Sequence, residues 1–272
     1  MKLGYQTNTW GGVVGHPAGV TSVKDLYYLA HGSTAEAVRD IAAAGYAGFE
    51  LFDGNLVAYE GQQDALRALL QETGLALIGV YSGANFIYPD ILADELWRIE
   101  HAAQLAAEFG AEHLVVGGGG VRATGIRDED YDRLADGLEA VVTLSRKYGL
   151  TASYHPHLGT IVETPAQLAR VLPKTSINFC PDTAHIDAAG GLSAEVIRQY
   201  GDRIRYVHLK DYQGGNFLPL GEGQVDFPGI LAALQAHQFN GWITVELDSY
   251  AGPPREPAIR SREYLERRLG AR

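Results

Sequence analysis

The sequence predicts a single (β/α)8 barrel. Eight short strand-like runs alternate with eight helix-like segments along the 272 residues, and neither a linker nor a low-complexity segment divides them. Strands that alternate with helices form a parallel sheet, and eight such units are the number of a closed barrel. A doubly wound sheet remains the alternative, although six strands are commoner there and no glycine fingerprint opens the first helix. We therefore expect one domain over residues 1–272.

The predicted strands are short, mostly rich in β-branched or aromatic residues, and punctuated by glycine. These features are typical of parallel strands that are buried on both faces. The strands are expected at residues 3–10, 48–52, 76–83, 113–119, 151–157, 177–185, 204–212 and 241–248.

The segments between the strands have the apolar spacing of helices. In residues 35–45, for example, Ala35, Val38, Ile41 and Ala42 fall on one face. The other helices are expected at residues 62–73, 92–110, 130–149, 164–172, 193–202, 226–238 and 256–269. Several have candidate caps, which are Ser33, Thr164 and Asp226 at the beginning and Gly110 and Gly149 at the end.

Composition excludes several classes of protein. The formal net charge of −11 argues against a nucleic-acid binder, because such proteins neutralise phosphates with Lys and Arg. The single cysteine, Cys180, excludes an internal disulfide framework and a cysteine-rich zinc site, and its apolar run predicts an inert buried thiol. The sequence shows no signal-peptide core and no apolar stretch of about 18 residues. We expect a cytoplasmic protein without a membrane partner.

Three connections from a strand to the next helix are long. They comprise residues 11–32, 84–90 and 213–225. In a barrel all three rise from the C-terminal face, where active sites lie, and long loops there are often lids or substrate-binding elements. We favour that interpretation for 213–225. For 11–32 it stands beside a second one, in which the segment packs between neighbours of a homo-oligomer.

Three predicted strands in the second half end in metal-ligating side chains. The strings PDTAH, VHLKD and VELD place Asp182, His208 and Glu246 at corresponding positions. If these strands are parallel neighbours in one barrel, the three side chains meet at one mouth. Two carboxylates and an imidazole suit one divalent metal ion, Mn²⁺, Co²⁺, Mg²⁺ or Zn²⁺. A structural ion pair of Glu246 with Lys210 is the alternative interpretation.

The fifth predicted strand contains two histidines. His155 and His157 share a strand face if Pro156 does not bend the chain between them. Either is a candidate metal ligand, general base or substrate hydrogen-bond partner, and a structural histidine is the alternative.

Five further side chains are candidates for the same mouth. Lys210 and His185 are candidate catalytic groups, since a lysine beside a metal stabilises an oxyanion or protonates a leaving group; Lys210 instead neutralises carboxylates in the alternative. Glu50 alternates with apolar neighbours on the second strand and is expected to contact substrate, as are Asp211 and Trp10. Core packing is the alternative for Trp10.

At these residues the chain resembles the xylose isomerase-like TIM-barrel superfamily of sugar phosphate isomerases and epimerases. The motifs that carry the resemblance are GFELF, PDTAH, VHLKD, LGEGQVDF and VELD, in that order, and they span nearly the whole chain. Within the superfamily, residues 153–164 (SYHPHLGTIVET) resemble the inosose dehydratase branch.

The resemblance implies one divalent metal held by Glu, Asp, His and Glu on four successive strands. The last three correspond to Asp182, His208 and Glu246, whereas Ser153 stands where many ketose epimerases have the first Glu. In those epimerases this Glu and the last one form the acid/base pair. His155 is the candidate for the fourth ligand or the missing base, and a water is the other way to fill the position.

These observations predict a metal-dependent isomerase or epimerase of a small keto-sugar that acts through a metal-stabilised enediolate. His155 or Glu246 is the candidate base. An inosose dehydratase or related dehydratase is the alternative, because it shares the first proton abstraction and then loses a β-hydroxyl with an acid such as Lys210 or His185. More remote alternatives are a DNA-repair endonuclease with the same barrel and a non-catalytic sugar-binding barrel.

Overall fold

The structure is a computed structural model of the chain and describes residues 1–11, 15–16, 20–21 and 27–269. Eight parallel strands form its central sheet: β1 (Lys2–Gln6), β2 (Gly48–Phe52), β3 (Ala76–Ala84), β4 (His113–Gly118), β5 (Thr151–Tyr154), β6 (Asn178–Phe179), β7 (Tyr206–Leu209) and β8 (Trp242–Val245). Their order in the sheet is β6-β5-β4-β3-β2-β1-β8-β7. Parallel bridges from Phe179 to Ile204 and from Asp182 to His208 join the two edges. The barrel prediction is confirmed.

A helix follows each strand on the outside of the barrel. These helices are α1 (Thr34–Ala43), α2 (Gln63–Thr73), α3 (Pro89–Glu108), α4 (Asp128–Lys147), α5 (Pro165–Val171), α6 (Ser193–Tyr200), α7 (Phe227–Ala236) and α8 (Arg255–Leu269). Short extra helices Asp53–Val57 and Thr183–Ala188 follow β2 and β6. Antiparallel hairpins follow β1 (Gly15–His16 with Val20–Thr21) and β7 (Asp211–Gln213 with Asn216–Leu218).

The predicted helix caps are present. The side chains of Ser33, Thr164 and Asp226 each accept a hydrogen bond from a backbone amide in the first turn of α1, α5 and α7. Gly110 and Gly149 lie just beyond the ends of α3 and α4 with φ of 78° and 72°, a conformation that glycine adopts without a steric penalty.

Five strands end three or more residues earlier than the sequence predicted. In β5 and β6 the cause is proline, because Pro156 and Pro181 have no amide hydrogen to donate to a sheet. The strand predicted at 204–212 divides after Leu209 into β7 and the first strand of the hairpin. The first and last strands end at Gln6 and Val245, before the residues predicted to close them.

These early ends determine where the candidate site residues lie. His155, Asp182, Lys210 and Glu246 come one to three residues after a strand, so they stand at the C-terminal mouth of the barrel, while His208 is still within β7. Parallel strands deliver these positions to one side of the sheet.

Two apolar layers hold the barrel together. The larger one fills the space between strands and helices, and includes Phe49, Leu114 and Ile243. The smaller one fills the barrel interior with Ile78, Val115, Cys180, Tyr206 and Trp242, together with a few neighbours. Cys180 is therefore buried as predicted, and burial raises the pKa of its thiol, which keeps it protonated.

Of the long connections, the one after β7 reaches the mouth. Phe217 in the hairpin lies edge-on to His185, with ring centroids 5.0 Å apart. Half of the connection 11–32 lies outside the described residues. Within the part of the chain that is described, we find no helix with the length and apolar character needed to cross a membrane.

Candidate metal centre and active site

Four side chains from neighbouring strand ends form a compact group at the mouth. One ligand atom from each of His155, Asp182, His208 and Glu246 lies within 4.8 Å of the ligand atoms of the other three, and all four residues are buried. Backbone hydrogen bonds hold the loops that carry them: His155 N donates to Val116 O at 2.8 Å, and Glu246 N donates to Leu209 O at 3.0 Å. The four residues are those that the sequence predicted as metal ligands.

Each member of this group has one buried polar atom without a hydrogen-bond partner. These atoms are His155 Nε2, Asp182 Oδ2, His208 Nδ1 and Glu246 Oε2. Asp182 Oδ2 and Glu246 Oε2 lie at ion-pair distance from Lys210 Nζ, but none of the four atoms makes a hydrogen bond within the described residues. A buried donor or acceptor without a hydrogen bond costs about 1–3 kcal/mol, so four in one place require an explanation. A divalent cation is the ligand that satisfies imidazole nitrogens and carboxylate oxygens together. The donor set thus fits a single metal ion.

His208 lies between two carboxylates. Its Nε2 contacts Glu50 Oε2 at 3.3 Å, and its Nδ1 lies 2.9 Å from Glu246 Oε2 without the alignment of a hydrogen bond. Burial opposes a charge on this ring, but the two carboxylates raise the pKa of His208 to about 10 when no metal is present. A bound metal ion would displace the Nδ1 proton, and with Nε2–H still donated to Glu50 the Nδ1 lone pair would face the other three ligand atoms. A carboxylate that orients a ligating histidine in this way is common beside protein metals.

The ammonium of Lys210 is completely buried beside the same group. Its Nζ lies 3.3 Å from Asp182 Oδ2, 3.4 Å from Glu246 Oε2 and 3.2 Å from Asp248 Oδ2. Burial opposes its charge, but the three carboxylates raise the pKa of Lys210 above its usual value, so it remains protonated. Lys210 Nζ also lies 3.2 Å from His185 Nε2.

Lys210 and the protonated His208 together do not balance the four buried acids. Glu50, Asp182, Glu246 and Asp248 are all buried, and Lys210 is the only lysine or arginine with an ion pair to any of them among the described residues. Burying uncompensated charge is costly, and a divalent cation at the four-residue group brings the sum of charges closer to zero. The excess of acid is a second reason to read this group as a metal site.

Three imidazoles form one wall of the mouth. The rings of His157 and His185 have centroids 3.7 Å apart, and His155 is 5.8 Å from His157. Burial lowers the pKa of all three, that of His157 to about 4, so they are neutral at pH 7. His157 Nδ1 contacts Leu158 O at 2.7 Å, which makes Nδ1 the protonated nitrogen and leaves Nε2 as an acceptor. These rings are suited to hydrogen-bond a polyhydroxylated substrate.

His185 has the same tautomer as His157, with its hydrogen on Nδ1. Because Lys210 donates to its Nε2, the hydrogen of the neutral ring is on Nδ1, and Nδ1 has no partner in the structure. His185 was predicted at the end of a strand, but it lies in the short helix Thr183–Ala188, whose first amides Asp182 caps through a 2.9 Å bond to His185 N. The helix directs the ring back over the mouth.

Two predicted substrate-binding residues do not reach the group. Trp10 packs edge-on against Tyr5, and its indole N–H donates to Asp40 of α1 at 3.0 Å, which places it between the barrel and the outer helices. Asp211 is a loop anchor: its carboxylate accepts backbone amides of Tyr212, Gly221, Gly223 and Val225. Glu50, which was also predicted to contact substrate, lies at the site, where its carboxylate contacts the ring of His208.

Two residues at the site were not predicted. Both carboxylate oxygens of Asp248 accept from Lys210 Nζ, Oδ1 at 3.3 Å and Oδ2 at 3.2 Å. Asn8 donates through Nδ2 to Glu246 Oε1 at 3.1 Å and to Asp248 Oδ1 at 3.2 Å. A signal for Asp248 was present, because it follows Glu246 by two positions and therefore shares its side of an extended chain. Asn8 lies in a turn after β1 and had no such signal.

Ser153 lies behind these side chains in β5. It is fully buried, and its hydroxyl has no hydrogen-bond partner. The residue therefore supplies a small, neutral side chain at the position where the resemblance to ketose epimerases led us to look for a carboxylate.

Comparisons with known proteins agree with this architecture. The family model described as xylose isomerase-like TIM barrel matches residues 38–268. Inosose dehydratase of Geobacillus kaustophilus (strain HTA426) is 28% identical over 274 residues, covering 87% of this chain and 88% of the relative.

Two solved structures have the same fold. The IOLI protein, crystallised with a bound zinc atom, superposes with a TM-score of 0.76 at 16% identity, covering 98% of this chain and 97% of that one. The 3-keto-D-glucoside 4-epimerase from E. coli superposes with a TM-score of 0.73 at 20% identity, covering 98% and 99%.

Proposed function

This chain belongs to the xylose isomerase-like TIM barrel family, and on that premise we propose that it is a divalent-metal-dependent dehydratase of a keto-cyclitol or a related small keto-sugar. The names of curated relatives support the dehydratase part of the proposal, since three that cover 85–87% of this chain are named inosose dehydratase. The sequence alone led us to place isomerisation or epimerisation first. Both reactions begin with removal of a proton next to a carbonyl.

The observation that carries the proposal is the set of four unpartnered buried atoms. His155 Nε2, Asp182 Oδ2, His208 Nδ1 and Glu246 Oε2 would hold the metal. When bound, the ion would supply Lewis acidity to a substrate carbonyl and make the neighbouring C–H proton more acidic. The identity of the metal among Mn²⁺, Co²⁺, Mg²⁺ and Zn²⁺ is left to experiment.

We assign proton removal to Glu246. Its carboxylate has two oxygens, of which Oε2 faces the ligand group and Oε1 accepts only from Asn8. His155 was the other candidate base, but its second nitrogen, Nδ1, faces Cys180 Sγ at 3.9 Å, so only Nε2 points into the group. Glu246 is thus able to contribute a ligand atom and still accept a proton.

We assign the acid to His185. Its Nδ1–H is buried and has no hydrogen-bond partner within the described part of the chain, so it is placed to donate to a leaving hydroxyl. Lys210 donates to the other ring nitrogen, so it holds this tautomer and can replace the transferred proton. The substrate then loses one hydrogen to Glu246 and one hydroxyl as water, and the product is an unsaturated ketone or its diketone tautomer.

Epimerisation needs a second base that returns the proton from the other face of the carbon. At the position on β5 where epimerases of this superfamily have a glutamate, this chain has the hydroxyl of Ser153. That difference favours elimination over proton return.

The test is incubation of the metal-loaded protein with inososes and ketoses in D₂O. A product with the absorbance of an enone or diketone supports dehydration. Solvent deuterium in recovered substrate without elimination would contradict it and indicate an isomerase or epimerase. No exchange and no product, with metal bound, would contradict proton abstraction on this panel. Glu246→Gln should abolish both signals, and retained turnover would refute the role of Glu246.

A further inference from the structure

Asp248 is a buried carboxylate that the proposed reaction does not use. It is 4% exposed, and it lies outside the four-residue group whose ligand atoms converge. Both of its oxygens contact Lys210 Nζ, and Oδ1 also accepts the amide of Asn8. Its contacts are thus all with the groups that surround the metal ligands, and none is with a ligand atom.

Lys210 and a metal ion would compete for the same oxygens. The ammonium lies 3.3 Å from Asp182 Oδ2 and 3.4 Å from Glu246 Oε2, the two carboxylate atoms that would bind the metal. A dication and an ammonium a few ångströms apart in a buried site repel each other strongly. The two cations can be present together only if another acid holds the ammonium away from the ligand oxygens.

We propose that Asp248 is this acid: a positioning residue that retains the Lys210 ammonium beside the metal ligands and so keeps their oxygens open to the ion. The inference rests on the proposed metal site and adds a role for two residues around it. Asn8 takes part by donating to both Glu246 Oε1 and Asp248 Oδ1, which fixes the two acids relative to each other.

The anchoring of Lys210 supports this role. Its backbone N–H donates to the hydroxyl of Thr183 at 3.0 Å, and that hydroxyl donates to Lys210 O at 2.7 Å. Phe217 covers the ammonium at 4.9 Å from its ring centroid. These contacts keep the ammonium within reach of all three carboxylates, so the strength of its contact with Asp248 sets how far it competes for Asp182 and Glu246.

The test is a double-mutant cycle on metal affinity, with Mn²⁺ alone as the probe. Binding to the folded full-length protein is measured from the signal of free Mn²⁺ by electron paramagnetic resonance. Lys210→Met removes the competing charge and should tighten Mn²⁺ binding by roughly tenfold or more. Asp248→Asn should weaken it about tenfold, because the ammonium then pairs with Asp182 and Glu246. In the Lys210→Met background, Asp248→Asn should weaken binding by less than about threefold.

Asp53→Asn is the matched control. It makes the same change in a buried carboxylate that pairs with Arg98 instead of Lys210, and it should leave Mn²⁺ affinity within about twofold. If Lys210→Met does not fold without metal, the comparison of Asp248→Asn with Asp53→Asn still decides, and equal affinities would overturn the role of Asp248. So would equal effects of Asp248→Asn with and without Lys210. If the unmodified protein binds no Mn²⁺, the metal site itself is refuted, and this inference with it.

Discussion

Two groups of buried charged side chains lie near the C-terminal ends of the strands, and they are built in opposite ways. In the first, which we call the Asp53 pair, Asp53 faces Arg98 and Ser82 beside β2 and β3. The second is the proposed metal centre, by which we mean the four-residue group together with Glu50, Lys210 and Asp248. In the Asp53 pair one acid meets one base, and no buried side-chain polar atom of Asp53, Ser82 or Arg98 lacks a hydrogen-bond partner. In the proposed metal centre four acids meet Lys210 and the protonated His208, and several buried atoms have no hydrogen-bond partner among the described residues.

The bonds of the Asp53 pair explain the difference. Asp53 Oδ1 accepts the amides of Tyr28 and Gly54 at 2.7 and 2.9 Å, and Oδ2 accepts Ser82 Oγ at 2.6 Å and a guanidinium nitrogen of Arg98. Both oxygens of Asp53 are thus hydrogen-bonded. Their partners link the start of the described segment 27–269 to β2, β3 and α3. A buried charge that is fully paired is a structural device. A buried charge that is left unpaired in a cleft indicates a ligand.

The largest expected effect comes from breaking the Asp53 pair. Arg98→Met leaves Asp53 buried without its cation and should lower the free energy of unfolding by about 3–5 kcal/mol. Urea denaturation followed by circular dichroism measures it. Arg39→Met is the control, since Arg39 pairs with Glu72 on the surface and should cost less than about 1 kcal/mol. Equal losses in the two variants would mean that burial does not distinguish these pairs.

Removing one acid from the proposed metal centre should have the opposite effect to breaking the Asp53 pair. Asp182→Asn removes one acid from an excess of acids, so the metal-free protein should lose little stability. Mn²⁺ at about 100 times its dissociation constant should stabilise the unmodified protein by about 2.7 kcal/mol, and the same concentration should not stabilise the variant. Thermal unfolding with and without Mn²⁺ checks both statements. A metal-free Asp182→Asn protein as unstable as Arg98→Met would contradict the distinction between the two groups.

Glu50 tests whether the metal centre has the outer partners of a true metal site. Glu50→Gln weakens the acceptor of His208 Nε2 and should reduce Mn²⁺ affinity about 10- to 100-fold. The control is Glu60→Gln, because Glu60 contacts His101 Nε2 at 3.2 Å in an exposed pair of the same type. Isothermal titration calorimetry gives both affinities. A Glu50 variant with the affinity of the Glu60 variant would assign Glu50 to substrate, as the sequence first suggested.

We expect the smallest effect from substituting Asp211, which tests whether this carboxylate is structural or belongs to the site. Its four amide contacts place it with Asp53 as a structural acid. Asp211→Asn replaces one of the oxygens that accept the amides of loop 220–225 with an NH₂ group, which donates. The substitution should lower the free energy of unfolding by about 1 kcal/mol. Mn²⁺ affinity should not change. A loss of metal affinity without a loss of stability would return Asp211 to the site.

The fold and the centre of the site were accessible from the sequence because both depend on periodic patterns. Strand and helix periods predicted the barrel, and the ends of parallel strands predicted that Asp182, His208 and Glu246 would meet. The prediction for Trp10 lacks support from the structure because β1 ends at Gln6 and the turn Thr7–Thr9 redirects the chain. Local pattern does not specify the side to which a residue points once the strand has ended.

Hydrogen-bond partners were the other feature that the pattern did not contain. Asp211 and Asp248 each lie within three residues of the end of a barrel strand. Asp211 accepts amides of the following loop, whereas Asp248 accepts the ammonium of Lys210. The difference arises from tertiary contacts: the loop 220–225 folds back on Asp211, whereas Asp248 faces the buried ammonium. Sequence spacing places both carboxylates at the mouth but does not choose their partners.

The most direct test is the metal content of the protein after reconstitution with Mn²⁺ and removal of free ions. We predict one ion per chain in the unmodified protein and almost none in the double variant Asp182→Ala/His208→Ala, with circular dichroism showing that both are folded. An unmodified protein without metal, or a double variant that retains a full equivalent, would show that the four unpartnered atoms of the barrel mouth do not form a metal site.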